Sequence, residues 1–386
     1  MIDLSWALEA IFHTHASVPR ALGVGGRALR PVHMFLEVTY RCNLRCTFCQ
    51  YLDIIDGRRV PAGPVQGDLS REAIVAAIDD FTGGGLITFS GGEVLMRKDF
   101  LPILAHAGTR HRTHMISNGA LLTDAVVANL VDLAPDKVWN NGFVLLGVSI
   151  EGDEARHDAV VQRPGSWQRT VDGLERLRDR KRERGKSFPK THFNVVVTAD
   201  TADDLVYFVD LAARLGVDTV SYLAEHDLVG HSADGRTERI VTPQQGPRGV
   251  DPDRLRDELV RCHRRAADVG VQVRLSPHVP IDEYVRHYSD DRELDPHEYV
   301  CEAVWSRAVL AANGQFAPGC HYVRDGDARS DRLPEVWNGE RFRAFRRTLR
   351  SDRVYPGCNG CCNLRYVGPK KHGIDHEAPA LRASTA

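Results

Sequence analysis

Between Val32 and Pro277 the chain alternates strand-like and helix-like segments, and this alternation limits its fold more than any other feature. VHMFLEVTY, LITFSGG, THMISNG, FVLLGVSIEG, THFNVVVTAD and VDTVSYLAEHD read as strands, and VQVRLSP follows them. Helices separate them: SREAIVAAIDDF with Ser70 as N-cap, DFLPILAHAGTRH, DAVVANLVDLA, SWQRTVDGLERLRDRKRERG, ADDLVYFVDLAARLG and DPDRLRDELVRCHRRAADVG. FVLLGVSIEG is apolar throughout, as a strand buried on both faces is. About six βα units in series predict a parallel sheet with outer helices, a full or partial barrel. Chemistry in such a fold sits at the C-terminal ends of the strands. The polar stretches SGGE, SNG, SIEG and LAEHD, and a cysteine triplet after the first strand, all fall there.

The texture changes after Pro277. AVLAANGQFAPGC reads as a hairpin turning at Asn313–Gly314, and LPEVWNGERFRAFRRTLR as a helix. The expected organisation is a lead-in over 1–31, a barrel over 32–280, a second domain over 281–367 and a flexible tail over 368–386. A net charge of −2 gives no global field toward nucleic acid or a membrane surface. No apolar run reaches the roughly 18–20 residues that span a bilayer. The N-terminus lacks a basic n-region, and Glu9 and His13 interrupt any apolar core, so no signal peptide is expected and the cytoplasm is the expected compartment.

In a reducing compartment, clustered cysteines are metal ligands or catalytic groups rather than disulfides. Nine cysteines are present, and Cys42, Cys46 and Cys49 crowd into TYRCNLRCTFCQY. Zinc wants four ligands, usually as paired C-x2-C units. No fourth Cys or His follows closely. Three thiolates on a four-iron cluster leave one iron open, which makes it a reaction site.

The C-x3-C-x2-C spacing, with Phe48 before the last cysteine, resembles the cluster loop of the radical S-adenosylmethionine (radical SAM) superfamily. The resemblance implies that the open iron chelates SAM, that reductive cleavage gives a 5′-deoxyadenosyl radical, and that this radical takes a hydrogen atom from a substrate. It implies cofactor contacts at Gly91, Gly92 and Glu93 of SGGE, Ser117 and Asn118 of ISNG, Ser149 near the ribose and Arg163 near the SAM carboxylate. Glu151 stands where the family has an aspartate, and His157 and Asp158 shape the loop or take part in chemistry. Cys301, Cys320, Cys358, Cys361 and Cys362 resemble the family's SPASM/twitch extension. The implied fold is a partial (β/α)6 TIM-type barrel with a small C-terminal α+β iron–sulfur domain. Four of these cysteines would hold one auxiliary [4Fe–4S] cluster: Cys301, Cys320, Cys358 and either Cys361 or Cys362. A structural zinc site with the same ligands is the competing reading. Cys262 reads as a small core residue or as a hydrogen-atom donor.

The implied cofactors are two [4Fe–4S] clusters and SAM. An external donor such as flavodoxin or ferredoxin would supply electrons, and the substrate would be a small molecule. A fully ligated auxiliary cluster suits oxidation, here of a secondary alcohol on an aminocyclitol or amino-sugar intermediate of antibiotic biosynthesis. Glu225, His226, Asp227 and His231 are the candidates for the general base such an oxidation needs. The alternatives are maturation of a ribosomally made peptide, weighed down by the short stretch before Thr39, and a redox-neutral sugar epimerase.

Overall fold

The computed structural model describes residues 14–49, 51–58, 67–82, 85–137, 139–225, 229–231, 237–239, 249–289, 294–320, 323–354 and 358–369. Strands β1 (His33–Glu37), β2 (Leu86–Ser90), β3 (Arg112–Ser117), β4 (Gly142–Ser149), β5 (Lys190–Val197) and β6 (Thr219–Ala224) run parallel, each bonded to the next. A short antiparallel hairpin, β7 (Val229–His231) with β8 (Thr237–Arg239), follows outside this sheet and has no counterpart in the sequence reading. The chain then returns through β9 (Gln272–Ser276), parallel to β6.

Caps from short polar side chains start the intervening helices. Ser70 accepts from Ala73 N, Thr123 from Val126 N, Asp153 from Arg156 N and Asp251 from Asp253 N and Arg254 N. Each strand buries one face under those helices. On β3, Thr113, Met115 and Ser117 are buried, whereas Arg112, His114 and Ile116 are partly open. On β5, Thr191, Phe193, Val195 and Val197 are buried, whereas His192, Asn194 and Val196 are partly open. The period of two thus separates an apolar outer face from an inner face that lines the barrel lumen.

The C-terminal strands are β10 (Tyr299–Cys301), β11 (Arg307–Leu310), β12 (Phe316–Ala317) and β13 (Leu364–Tyr366). The expected hairpin is present: β11 pairs antiparallel with β12, and Gly314 takes φ +98° in the turn. Its first strand also adds in parallel to β1, with His33 opposite Arg307. The main sheet therefore has nine strands in the order β12-β11-β1-β2-β3-β4-β5-β6-β9. β10 and β13 pair antiparallel, and Arg365 of β13 bridges to His278 just past β9. These strands occupy a seam that reaches β9 through His278 and β11 through the bond of Arg307 to Asn363. The C-terminal residues Trp305, Trp337, Phe342 and Cys358 join the same hydrophobic core as the barrel.

The sequence reads LPEVWNGERFRAFRRTLR as one helix, and the structure divides it into Leu333–Trp337 and Glu340–Asp352. Gly339 takes ψ 160°, and Asn338 uses the break to accept from Ala28 N and donate to Ala28 O. The break fixes the lead-in against the C-terminal region. Among the described residues no helix is long and apolar enough to cross a membrane.

Candidate active site

Cys42, Cys46 and Cys49 occupy the loop at the C-terminal end of β1, and three neighbouring segments hold that loop by its backbone. Gly92 N donates to Thr39 O and Glu93 N to Arg41 O, both at 2.8 Å. Arg45 N and Thr47 N donate to Val161 O and Val160 O at 3.1 and 3.0 Å. Asp68 accepts from Tyr40 N at 3.1 Å and Thr39 Oγ1 at 2.5 Å, and Arg97 Nη1 donates to Val38 O at 2.9 Å. Tyr51, just past the triplet, donates to the buried Glu37 at 2.5 Å. Phe48 is half-buried in the loop.

The two glycines of SGGE serve this loop. The sequence assigns them to close approach of a ligand. In the structure the space a side chain would fill is taken by backbone: a Cβ on Gly91 would lie 2.3 Å from Thr39 O, and one on Gly92 2.3 Å from Arg41 O. Glu93 is fully buried. Its Oε1 accepts from Leu95 N and Ser117 Oγ at 3.1 and 2.9 Å, and its Oε2 from Asn118 N at 2.8 Å. Asn118 Nδ2 donates to Asn43 Oδ1 at 2.9 Å. Glu93 thus ties the end of β2 to that of β3, and Asn118 ties both to the cysteine loop. Burial raises the Glu93 carboxyl above its ordinary value.

Ser149, the last residue of β4, is partly open, and Glu151 just past it is buried. Asp158 is a capping residue: its carboxylate accepts from Gly165 N and from Trp167 N at the start of helix Ser166–Glu183. His157 is buried, and its Nδ1 accepts from Glu151 N at 3.2 Å. Both therefore shape the loop. Arg163 is exposed on the same loop and makes no ion pair among the described residues.

Burial pushes Glu151 up to about 8, against a bond from the Val196 backbone. Folded chains therefore bind a proton that unfolded chains release between about pH 4.5 and 8, so this group's contribution to stability falls as pH rises through that window. Glu151→Gln in the cluster-free protein is expected to flatten that decline and to raise Tm most at pH 8 or above. Thermal melts from pH 5 to 9 check it, and parallel curves for the two proteins would refute it.

All nine cysteines are free thiols. Burial raises Cys42, Cys46 and Cys49 above the usual thiol range, Cys46 most, with Glu151 as its second cause. Metal binding would have to draw their protons off. Among the described residues no three His, Cys, Asp or Glu side chains converge closely enough to hold a single metal ion. Ligands to a cluster of several irons stand further apart, so the triplet's soft donors fit an iron–sulfur cluster better than one zinc ion.

The second set forms around β10 and β13. Their pairing puts Cys301 opposite Leu364, next to the turn in which Cys361 N donates to Cys358 O at 3.0 Å. Asn363 Nδ2 donates to Gly319 O at 3.0 Å and brings the Cys320 loop alongside. His287 joins the turn to the barrel, through Asn359 Oδ1 at 2.9 Å and Glu225 O at 2.6 Å. Cys301 senses the charge of Cys358, and Cys361 that of Cys301. Cys362 is the more acidic of the coupled Cys361–Cys362 pair, first through the hydrogen bond between them, then through Arg307 and Arg274.

The lumen carries residues the sequence reading left unassigned. His33 Nε2 lies 2.8 Å from Thr88 Oγ1, which lies 3.1 Å from His114 Nδ1. The His114 and His192 rings stand 5.1 Å apart, although β4 separates their strands. Gly147 of β4 makes this possible: a Cβ there would sit 2.6 Å from His192 Nε2. Burial first, then neighbouring positive charge, holds all three histidines well below their ordinary value, so they are neutral at pH 7. Among the described residues His114 Nε2 and Ser221 Oγ are buried without a hydrogen-bond partner. Arg274 and Arg307 complete a polar, cation-bearing wall.

Of the proposed bases, Glu225 lies just past β6, where its carbonyl anchors His287 and its N–H donates to Tyr288 Oη at 3.2 Å. His226, Asp227 and the His231 side chain lie outside the described residues. Cys262 is fully buried between helix Pro252–Val269 and the sheet, with Tyr222 Oη 3.5 Å from its Sγ. Tyr222 is on the outer face of β6, so Cys262 is a core residue remote from the lumen.

Residues 36–212 match the radical SAM superfamily, and residues 301–362 match the SPASM iron–sulfur cluster-binding domain. The AdoMet-dependent heme synthase of Nitratidesulfovibrio vulgaris is 26% identical over 366 residues, 92% of this chain and 90% of that protein. The mycofactocin maturase MftC of Mycolicibacterium smegmatis is 30% identical over 203 residues, 52% of this chain and 46% of that protein. Among solved structures, Streptococcus suis SuiB bound to S-adenosylmethionine superposes with a TM-score of 0.58 at 14% identity, covering 86% of this chain and 71% of that one. That likeness concerns the fold. The cofactors these domains imply are a [4Fe–4S] cluster with SAM, and auxiliary iron–sulfur in the C-terminal domain. The chain carries a radical SAM domain on a partial barrel, followed by a SPASM domain.

Proposed function

We propose that this radical SAM enzyme oxidises a small polar substrate. The observation that carries the reading is the meeting of Cys301, Cys358 and the Cys361–Cys362 pair in the seam of the barrel, beside a lumen walled by histidines and arginines. When bound, SAM on the cluster of Cys42, Cys46 and Cys49 supplies hydrogen-atom abstraction, and one auxiliary cluster on Cys301, Cys320, Cys358 and Cys361 supplies a one-electron acceptor. The chain's own residues hold and shield these groups. Gly91, Gly92 and Glu93 fix the cysteine loop, Asn118 orients it through Asn43, and Ser149 faces the lumen beside it. His114 Nε2 and Ser221 Oγ, buried and unpartnered among the described residues, favour a substrate with its own polar groups.

The relatives named above do not favour the carbohydrate-like alcohol over other small molecules. The heme synthase likeness runs over nearly the whole chain, so heme precursors join aminocyclitol alcohols as substrates to assay. The MftC likeness favours a second reading, peptide maturation, over about half the chain. The test is anaerobic incubation with SAM, dithionite and each substrate class, scoring 5′-deoxyadenosine and oxidised product. A Cys301→Ala/Cys358→Ala variant is expected to cleave SAM and yield no oxidised product. Absence of 5′-deoxyadenosine from the wild type would end the proposal. Oxidised product from the double variant would remove the auxiliary cluster as electron acceptor, and product at the oxidation level of the substrate would favour a redox-neutral reaction.

A further inference from the structure

Arg307 opens β11 opposite His33, at the edge of the seam. Its Nη1 donates to Asn363 Oδ1 at 2.5 Å, and Asn363 Nδ2 donates on to Gly319 O at 3.0 Å. Asn363 follows Cys362, and Gly319 precedes Cys320. One guanidinium is therefore hydrogen-bonded into the link between the two cysteine-bearing loops. Its charge reaches Cys301 as well as Cys362, and Arg274 reaches Cys362 from β9, across the seam. The carboxylate beside Cys301 does not cancel this field, because Glu302 is tied to Arg365 at 3.4 Å and Arg20 at 3.5 Å.

We propose that Arg307 is a positioning residue for electron acceptance: anchored through Asn363, it raises the reduction potential of the auxiliary iron–sulfur cluster. This rests on the reading above that Cys301, Cys320, Cys358 and Cys361 hold such a cluster. Reduction adds one negative charge to the cluster, and a fixed cation nearby stabilises the reduced form more than the oxidised one. The electron comes from the substrate radical, which also releases a proton, so the substrate ends two electrons oxidised once hydrogen-atom abstraction is counted. Arg274 adds to the field by charge alone.

The experiment is an EPR-monitored redox titration of the reconstituted full-length protein, comparing wild type with Arg307→Gln, Arg307→Lys and Arg274→Gln, with iron counted in each. Arg307→Gln is expected to shift the auxiliary midpoint to lower potential, Arg307→Lys to restore most of it, and the SAM-binding cluster to keep its midpoint as an internal control. A merely structural arginine would leave both midpoints in place. Equal auxiliary midpoints in wild type and a fully loaded Arg307→Gln overturn the proposal. Where Arg307→Gln does not load, Arg274→Gln decides: a lowered midpoint supports the field, and an unchanged one refutes it. A wild type with a single cluster would sink the two-cluster reading itself, a different failure from an unshifted midpoint.

Discussion

A Cys42/Cys46/Cys49→Ala variant is expected to fall from about eight irons per chain to about four and to lose SAM cleavage entirely. The effect is large because the loop has no other soft donors: the remaining cysteines lie in the seam or, for Cys262, in the core. The fold should survive, because the loop is held by its backbone. Arg45 N and Thr47 N reach Val161 O and Val160 O, and Gly92 N and Glu93 N reach Thr39 O and Arg41 O, and none of these bonds uses a cysteine side chain. The variant should therefore purify as a folded protein whose remaining iron sits at the C-terminal cysteines. Iron analysis with EPR after anaerobic reconstitution checks it. A variant that kept all its iron would show that these cysteines are not ligands, and one that kept none would show that the C-terminal set holds no iron by itself.

The βα order was legible because helix caps and strand periodicity are local. Ser70, Thr123 and Asp251 announce helices, and the apolar run of β4 announces a buried strand. The cysteine triplet was legible because its three members lie within eight residues. The lumen was less so, although its signal was present: THMIS and THFNVVV place His114, His192 and Asn194 on the faces opposite their buried neighbours. A polar residue at alternate positions of an otherwise buried strand marks a wetted inner face. What the sequence could not show is that Gly147 lets two histidines from non-adjacent strands meet, because that depends on curvature. The union of β11 with β1 was hidden for the same reason. Its partners are far apart in the chain, and local pattern carries no pairing information. The SGGE glycines stood out in the sequence, but the Thr39–Arg41 backbone packed against them could not be read there.

That packing makes Gly92→Ala the sharper test of how the site is built. The added Cβ would sit 2.3 Å from Arg41 O, with Arg41 C and Tyr40 O both at 2.7 Å. All three atoms are backbone, so no side chain can turn aside. The clash has to be relieved by moving the residues that lead into Cys42, at a cost of about 1–3 kcal/mol. Glu93 N would also be drawn away from Arg41 O, one of the bonds that set the loop's height above the barrel. The expected result is a lowered Tm together with iron falling toward about four per chain, because displaced thiols no longer match one cluster. Gly57→Ala is the control. Gly57 has φ +69° and nothing within 4 Å of its would-be Cβ, so the change should cost about 1 kcal/mol of backbone strain and leave iron content intact. If Gly92→Ala kept its full iron and its SAM cleavage, the loop would not depend on this close approach and would be held chiefly by Asp68, Arg97 and the Val160–Val161 backbone.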